Sequence, residues 1–217
     1  MPLFYQHTIN ETTKLGIWHI EEEEDFFLAK VPLQKSITHP HKRLQHLAGR
    51  YLLQYLFPDF PYAEILIADT RKPYLPNDRY HFSISHCGNY AAAIVSSTHR
   101  VGIDIEIPTE KIERVAHKFV SEGEWAFLSI GHRPWSMEEK LPVIDRGLLT
   151  VLWSAKESLF KWYSLGQVDF RENMQLIQPV RKSNGNLLLP FVFKKNEPVY
   201  LTITARIFDE IVLSWAI

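Results

Sequence analysis

The chain has little of what usually marks a function class. It holds one cysteine, Cys87, in 217 residues, which excludes an intrachain disulfide framework and a cysteine-built zinc site and fits a reducing cytoplasm. Neither sign of charge dominates. Lys and Arg number 24 against 25 Asp and Glu, for a formal net charge of -1, so no broad cationic field exists to wrap nucleic acid. No stretch approaches the ~20 apolar residues of a membrane helix, and no basic segment followed by an apolar run opens the sequence. The expectation is a soluble, intracellular protein with neither a membrane nor a nucleic acid as partner. Low-complexity segments and repeats of twenty to fifty residues are also missing, which removes solenoids and propellers.

What is present is a foldable chain. Hydrophobic residues make up 46 % and aromatic residues 13 %, too much for a disordered protein, and the length suits one large domain or two small ones. Strand patterns occupy 16–20, 64–68, 80–85 and 91–96, with a helix over 41–56 that carries Leu44, Leu47, Tyr51 and Leu52 on one stripe and stops at Pro58. An extended run at 101–108 leads into a mainly helical stretch over 110–128. Pro134 and Pro142 bracket a loop-like segment, a second strong helix covers 147–165, and strands follow at 187–193, 199–208 and 211–215. Each half thus pairs one main helix with several antiparallel strands. The pattern predicts an α+β protein of two similar halves that meet near 101–107.

Three segments carry groups able to do chemistry. In VGIDIEIP, Val101, Ile103, Ile105 and Ile107 alternate with Gly102, Asp104 and Glu106, so a strand sends the apolar set to a core and both carboxylates to the other face. Two carboxylates held close either raise one another's proton affinity or bind a hard cation such as Mg²⁺. The same pattern also reads as a half-exposed edge strand with two solvated acids. In LTVLWSAKESLFKWYSLG, Ser154, Glu157 and Lys161 fall on one helical face opposite Val151, Leu152, Ala155, Leu159 and Phe160. Glu157 and Lys161 alone amount to an exposed i,i+4 pair, whereas three acids and a lysine around a divalent ion suit the polarisation of a phosphate or pyrophosphate. Lys156 lies in the apolar arc, where a lysine snorkels or enters a buried ion pair. In RYHFSISHCGNYAAAIVS, Ser85 and His86 stand at the tip of a hairpin that turns at Cys87-Gly88-Asn89. They read as turn residues bonded locally or as donors to an anion. Adjacent strand residues point apart and no G-x-S-x-G sequence is present, which argues against a hydrolytic triad. Arg71-Lys72-Pro73 adds positive charge upstream.

In order, Lys72-Pro73, FSISHC over 82–87, VGIDIE over 101–106 and WSAKESLFK over 153–161 resemble the successive motifs of the 4'-phosphopantetheinyl transferase superfamily, most closely its surfactin-synthetase-activating type. KIERVAHKFVSEGEW is similar to that family's connecting helix and F-S-x-x-E-type segment. The resemblance implies a pseudo-twofold α+β fold of two subdomains, 1–103 and 104–217, each a small antiparallel sheet on a main helix, with most of the metal site in the second. It implies an Mg²⁺-dependent enzyme of the holo-acyl-carrier-protein synthase type. Such an enzyme moves the phosphopantetheine arm of coenzyme A to a serine of an acyl, peptidyl or aryl carrier protein and releases 3',5'-ADP.

Carried over by motif, Asp104, Glu106 and Glu157 are the metal ligands. Glu157 is also a candidate base for the carrier serine, Lys161 steadies the pyrophosphate, and Lys72, Ser85 and His86 hold the nucleotide and 3'-phosphate end. If the two halves are fused equivalents of one fold, a monomer suffices to build the cleft. The chain departs from the family at Ser83 and Cys87, where F-N-x-S-H-S is frequent, and at Ser164 and Gly166, where two glycines are frequent. Gln45 stands where an arginine is common, and Arg43 is the replacement candidate for that phosphate contact. Phe119, Trp125 and 130–146 are candidates for the carrier surface, Phe119 and Trp125 being equally readable as core. Two other functions fit the same residues: another Mg²⁺-dependent phosphoryl-transfer enzyme, and an inactive module that binds coenzyme A or a carrier.

Overall fold

The computed structural model describes residues 2–31, 33, 36–128 and 146–217. They form two units, one of Met1–Ile105 with Lys161–Leu165 and Ile217, the other of Glu106–Phe160 with Gly166–Ala216. Both mix helices with antiparallel sheet, the expected α+β class. The five residues Lys161–Leu165, read from sequence with the second half, group with the first.

In the first unit, β1 (Leu3–Asn10), β2 (Thr13–His19), α1 (Glu24–Leu28) and α2 (Pro40–Leu56) precede β3 (Leu66–Ile67), β4 (Pro73–Tyr74), β5 (His81–Cys87), β6 (Tyr90–Ser96) and β7 (Gly102–Glu106). A four-stranded sheet runs β1-β2-β6-β5, antiparallel throughout, and β3 pairs with β4. The helix α2 starts with Pro40, whose missing N–H costs nothing in a first turn, and packs on β6, β2 and β5. Leu47, Ala48, Leu52, Leu53 and Leu56 point into a core with Trp18, Phe27, Phe60 and Phe82. The sequence pattern does not predict β1, because LFYQHTIN does not alternate apolar with polar side chains. Its half-buried and exposed positions alternate all the same, as an edge strand on β2 requires.

Gly49 is a point of close approach between α2 and the sheet. A Cβ there would lie 2.6 Å from Ile84 Cγ2 of β5, and Ile84, branched at Cβ, has few rotamers into which it can retreat. The helix accepts a glycine because the sheet leaves no room for a methyl group.

The second unit holds α3 (Lys111–Val115), α4 (Glu122–Leu128), α5 (Arg146–Tyr163), β8 (Met174–Leu176), β9 (Arg181–Ser183), β10 (Asn186–Phe193), β11 (Val199–Ile207) and β12 (Val212–Ala216). The last three residues of α5 belong to the first unit. Strands run β12-β11-β10-β8 antiparallel, with β9 also on β10. The stretch 110–128, expected as mainly helical, is broken into α3, a 3₁₀ turn over Ala116–Lys118 and α4. The break serves burial: Phe119 and Val120 leave the helix and go fully inside. The loop-like segment expected between Pro134 and Pro142 lies outside the described residues. No helix among the described residues is long and apolar enough to cross a membrane.

Lys156 supplies the second unit's buried charge. Its ammonium donates to Phe119 O at 2.5 Å, Glu124 Oε2 at 2.8 Å and Phe170 O at 2.9 Å, which uses all three of its protons. Glu124 in turn accepts from Ser121 N and Leu176 N, each at 2.8 Å. Both residues are at most 1 % exposed. Burial pushes the Lys156 pKa down and Glu124 opposes the shift. Of the two readings open from sequence, snorkelling and a buried pair, the pair is what forms.

Two stability changes follow. Gly49→Ala should lower unfolding stability by about 1–2 kcal/mol, because an overpacking penalty of about 1–3 kcal/mol exceeds the gain of at most about 1 kcal/mol in helix propensity. Glu124→Ala should cost about 3–5 kcal/mol, since it strands a buried ammonium. Urea titration of both variants checks these values, and a stabilised Gly49→Ala protein would refute the close approach.

Candidate functional site

The first unit brings four sequence-predicted residues together at the end of α5. Alternation along β5 puts Ser83 and Ser85 on one face. Ser83 Oγ accepts from Ile103 N of β7 at 3.2 Å, and Ser85 Oγ donates to Asp104 Oδ1 at 2.9 Å. The Ser83 side chain therefore ties β5 to β7. Lys161 Nζ reaches Asp104 Oδ1 at 2.7 Å and Ser85 Oγ at 2.8 Å. Asp104 is 3 % exposed, so it is not a solvated acid on an edge strand. A carboxylate this deeply placed needs a cation and donors, and Lys161 with Ser85 supplies both to one of its oxygens. The other, Oδ2, is buried with no partner.

Ser85 and His86 do point apart, as neighbours on a strand must. Ser85 is buried and His86 exposed. Enough protein still crowds the imidazole to push its pKa down, with the positive charges of Lys161, His41 and Lys42 acting in the same direction. The turn after it is clamped from α2. Gln45 Nε2 donates to Gly88 O at 2.7 Å, and His41 Nε2 lies 3.0 Å from the same oxygen. Gly88 itself sits at φ 53°, a conformation glycine adopts without strain. Gln45, which drew notice only as the residue in an arginine's place, is thus 6 % exposed and holds the Ser-His turn. Arg43 is engaged elsewhere: its Nε donates to Glu24 Oε1 at 2.7 Å and its NH1 to Ile37 O at 2.9 Å.

Lys72 takes an unexpected place. Its ammonium donates to the backbone oxygen of Lys161 at 2.5 Å and to Ser164 Oγ, closing the C-terminal turn of α5. Burial, followed by the charges of Arg100 and Lys161, pushes its pKa down to about 8. It also lines a cleft of about 300 Å³ in the first unit together with Pro73, Tyr74, His81, Arg100 and Ser164.

In the second unit, Glu106 Oε1 accepts from Trp153 Nε1 at 3.0 Å. Glu157 is half-buried on α5 and lines an open trough of about 590 Å³ with Lys118, Trp153, Phe160 and Phe170. Ser154, expected on the face that presents Glu157 and Lys161, is instead 0 % exposed and bonded to Ser214 Oγ of β12 at 2.8 Å. The reason is that α5 is covered over more of its circumference than an amphipathic surface helix. Phe119 is core, 0 % exposed and edge-on to Trp153 with ring centroids 5.1 Å apart, while Trp125 is half-buried. Among the described residues no group of three or more His, Cys, Asp or Glu is gathered to hold a metal. The feature that fits one is the orphan oxygen of Asp104, a hard donor with no protein partner.

Lys72 gives a pH signature. Its folded pKa of about 8 lies below the ordinary 10.5, so the unfolded chain binds the extra proton between those values and folding gains stability as pH rises through that window. The stability of the wild type relative to Lys72→Met should therefore increase by about 1–3 kcal/mol from pH 8 to 10.5. Paired urea titrations at several pH values measure it; a flat difference would contradict the burial of this ammonium.

Residues 100–210 match the family described as the 4'-phosphopantetheinyl transferase superfamily, a span of just over half the chain that contains Asp104, Glu106, Glu157 and Lys161. Enterobactin synthase component D of Escherichia coli (strain K12) is 32 % identical over 123 residues, 55 % of this chain and 54 % of that protein. The 4'-phosphopantetheinyl transferase AcpT of Escherichia coli O157:H7 is 29 % identical over 132 residues, 59 % of this chain and 62 % of its own. The 4'-phosphopantetheinyl transferase gsp of Aneurinibacillus migulanus is 32 % identical over 117 residues, 53 % and 44 %. The chain spans about half the length of the curated relatives it matches. With the motif order, the α+β fold and the matched span in agreement, the chain belongs to the 4'-phosphopantetheinyl transferase superfamily.

Proposed function

We propose that this protein, an enzyme of the surfactin-synthetase-activating type, transfers the 4'-phosphopantetheine arm of coenzyme A to a serine of a carrier protein in the reducing cytoplasm and releases 3',5'-ADP. The observation that carries this reading is the contact of Lys161 Nζ with Asp104 Oδ1 at 2.7 Å, inside the segment that matches the family. It sets an ammonium beside a buried carboxylate whose second oxygen has no protein partner.

The serine hydroxyl attacks the β-phosphorus of coenzyme A. A serine O–P bond forms, the bridging P–O bond of the diphosphate breaks, and its electrons leave on the phosphate of 3',5'-ADP. The serine proton passes to Glu157, directly or through water. Charge grows on the nonbridging and departing oxygens, and the Lys161 ammonium neutralises part of it. Ser85 and His86 would bind the nucleotide and its 3'-phosphate. Arg43, bound by Glu24, would contribute only on leaving that carboxylate. Asp104, Glu106 and Glu157 would hold Mg²⁺, which when bound supplies electrostatic stabilisation of the diphosphate. A phosphopantetheinylated carrier further requires an acceptor whose acidic surface meets a locally basic and apolar patch, for which Trp125 is a candidate and Phe119, being core, is not.

Apo carrier proteins incubated with this protein, coenzyme A and Mg²⁺ should acquire a phosphopantetheine adduct on serine by mass spectrometry. Asp104→Asn should keep the fold by circular dichroism and lose at least about 10²-fold in rate; full activity in that variant would remove the residue from the site. Coenzyme A that binds without any adduct on a panel of carriers would favour the inactive module, and phosphoryl chemistry without coenzyme A would favour the other enzyme.

A further inference from the structure

We propose that Lys72 is a positioning residue: it caps the C-terminus of α5 and thereby aims Lys161, rather than contacting the nucleotide as its motif position implies. The last carbonyls of a helix have no intrahelical donor, and a lysine ammonium can satisfy them. Lys72 Nζ does so at the one carbonyl that matters for the site. It donates to Lys161 O at 2.5 Å, while 89 residues separate the two in sequence. The side chain of that same residue carries the ammonium that meets Asp104 Oδ1 and Ser85 Oγ.

The rest of the turn is arranged around this bond. Ser164 stands at φ 74°, a left-handed position that a non-glycine residue enters at a cost. Its Oγ donates to Lys161 O at 2.8 Å and accepts from Lys72, so the hydroxyl links the two residues. Where family members frequently have glycine near this point, this chain has serine, and the serine gives Lys72 its second acceptor. Two of the three ammonium protons are thus committed to the turn, and Lys72 is drawn toward α5 at the margin of the cleft with Arg100. Its stem is fixed by Pro73, which starts β4, paired with β3 at Ile67. A cation placed at a helix C-terminus also complements the negative end of the macrodipole, which helps to hold it beside the like charges of Arg100 and Lys161.

The kinetic part of the inference rests on the transferase reading; the structural part does not, and the experiment separates them. Lys72→Met keeps the stem and removes the donors, while Lys72→Arg restores them. In hydrogen exchange, the amides of Lys161, Trp162 and Tyr163 should exchange about tenfold faster in Lys72→Met and return toward wild type in Lys72→Arg. In transfer assays, kcat should fall about tenfold in Lys72→Met, with KM for coenzyme A and the affinity for 3',5'-ADP within about threefold of wild type. An unchanged exchange rate overturns the cap. A protected turn with 3',5'-ADP binding weakened tenfold or more makes Lys72 a nucleotide contact and also overturns it. A wild type that transfers nothing defeats the transferase reading while exchange still decides the cap. Should Lys72→Met fail to fold, coupling across the hydrogen bond between the Lys72 Nζ protons and the Lys161 carbonyl carbon, recorded on selectively labelled wild type, decides the matter: its presence supports the cap and its absence overturns it.

Discussion

A lysine held against a buried aspartate is the contact on which the site depends. Asp104 lies on a strand covered on both faces, and a lone carboxylate there would lose far more hydration than it could recover. Lys161 and Ser85 make the position tenable. The arrangement is lopsided, since one carboxylate oxygen takes two donors and the other takes none. A structural ion pair is normally saturated on both sides, as Glu124 and Lys156 are in the second unit. The contrast separates these two pairs. One is complete and serves the fold, and the other leaves a carboxylate oxygen without a protein partner.

Supports for the site come from elements distant in sequence. β5 provides the serines, α2 reaches across with Gln45 to fix the following turn, and the Lys72-Pro73 segment secures the end of α5. None of these groups touches Asp104 except Ser85, yet each restricts where a donor in contact with it can stand. Placing reactive groups on strand and helix ends with backbone oxygens tied down gives the precision that loops lack.

Part of this was legible in the sequence and part was not, for reasons that differ by residue. The alternation of VGIDIE placed Asp104 on a strand opposite an apolar set, because a period of two depends only on local geometry. The 3.6 period likewise located α5 to within two residues at each end and marked Lys156 as a lysine in an apolar arc. Its partner Glu124 could not be read, since nothing local relates residues 32 apart. Ser154 went the wrong way for a similar reason: a small polar residue looks like surface until a second serine, Ser214, is known to await it. The edge strand β1 has mixed side chains and is specified by its partner β2. Gln45 is marked only by the family resemblance and Lys72 first as a loop charge, but what they do depends on backbone carbonyls, which every sequence has and none displays.

One internal segment is grouped away from its sequence neighbours, and that limits how the protein can be dissected. Lys161–Leu165 are embedded in the second unit's sequence but group with the first. A fragment ending after Ile105 would carry Asp104 inward without the ammonium that offsets it, and its complement would end a helix with a lysine deprived of its acid. Split-protein designs cut at the apparent midpoint thus begin with each piece electrostatically frustrated, and reconstitution would be driven in part by the return of a single side chain.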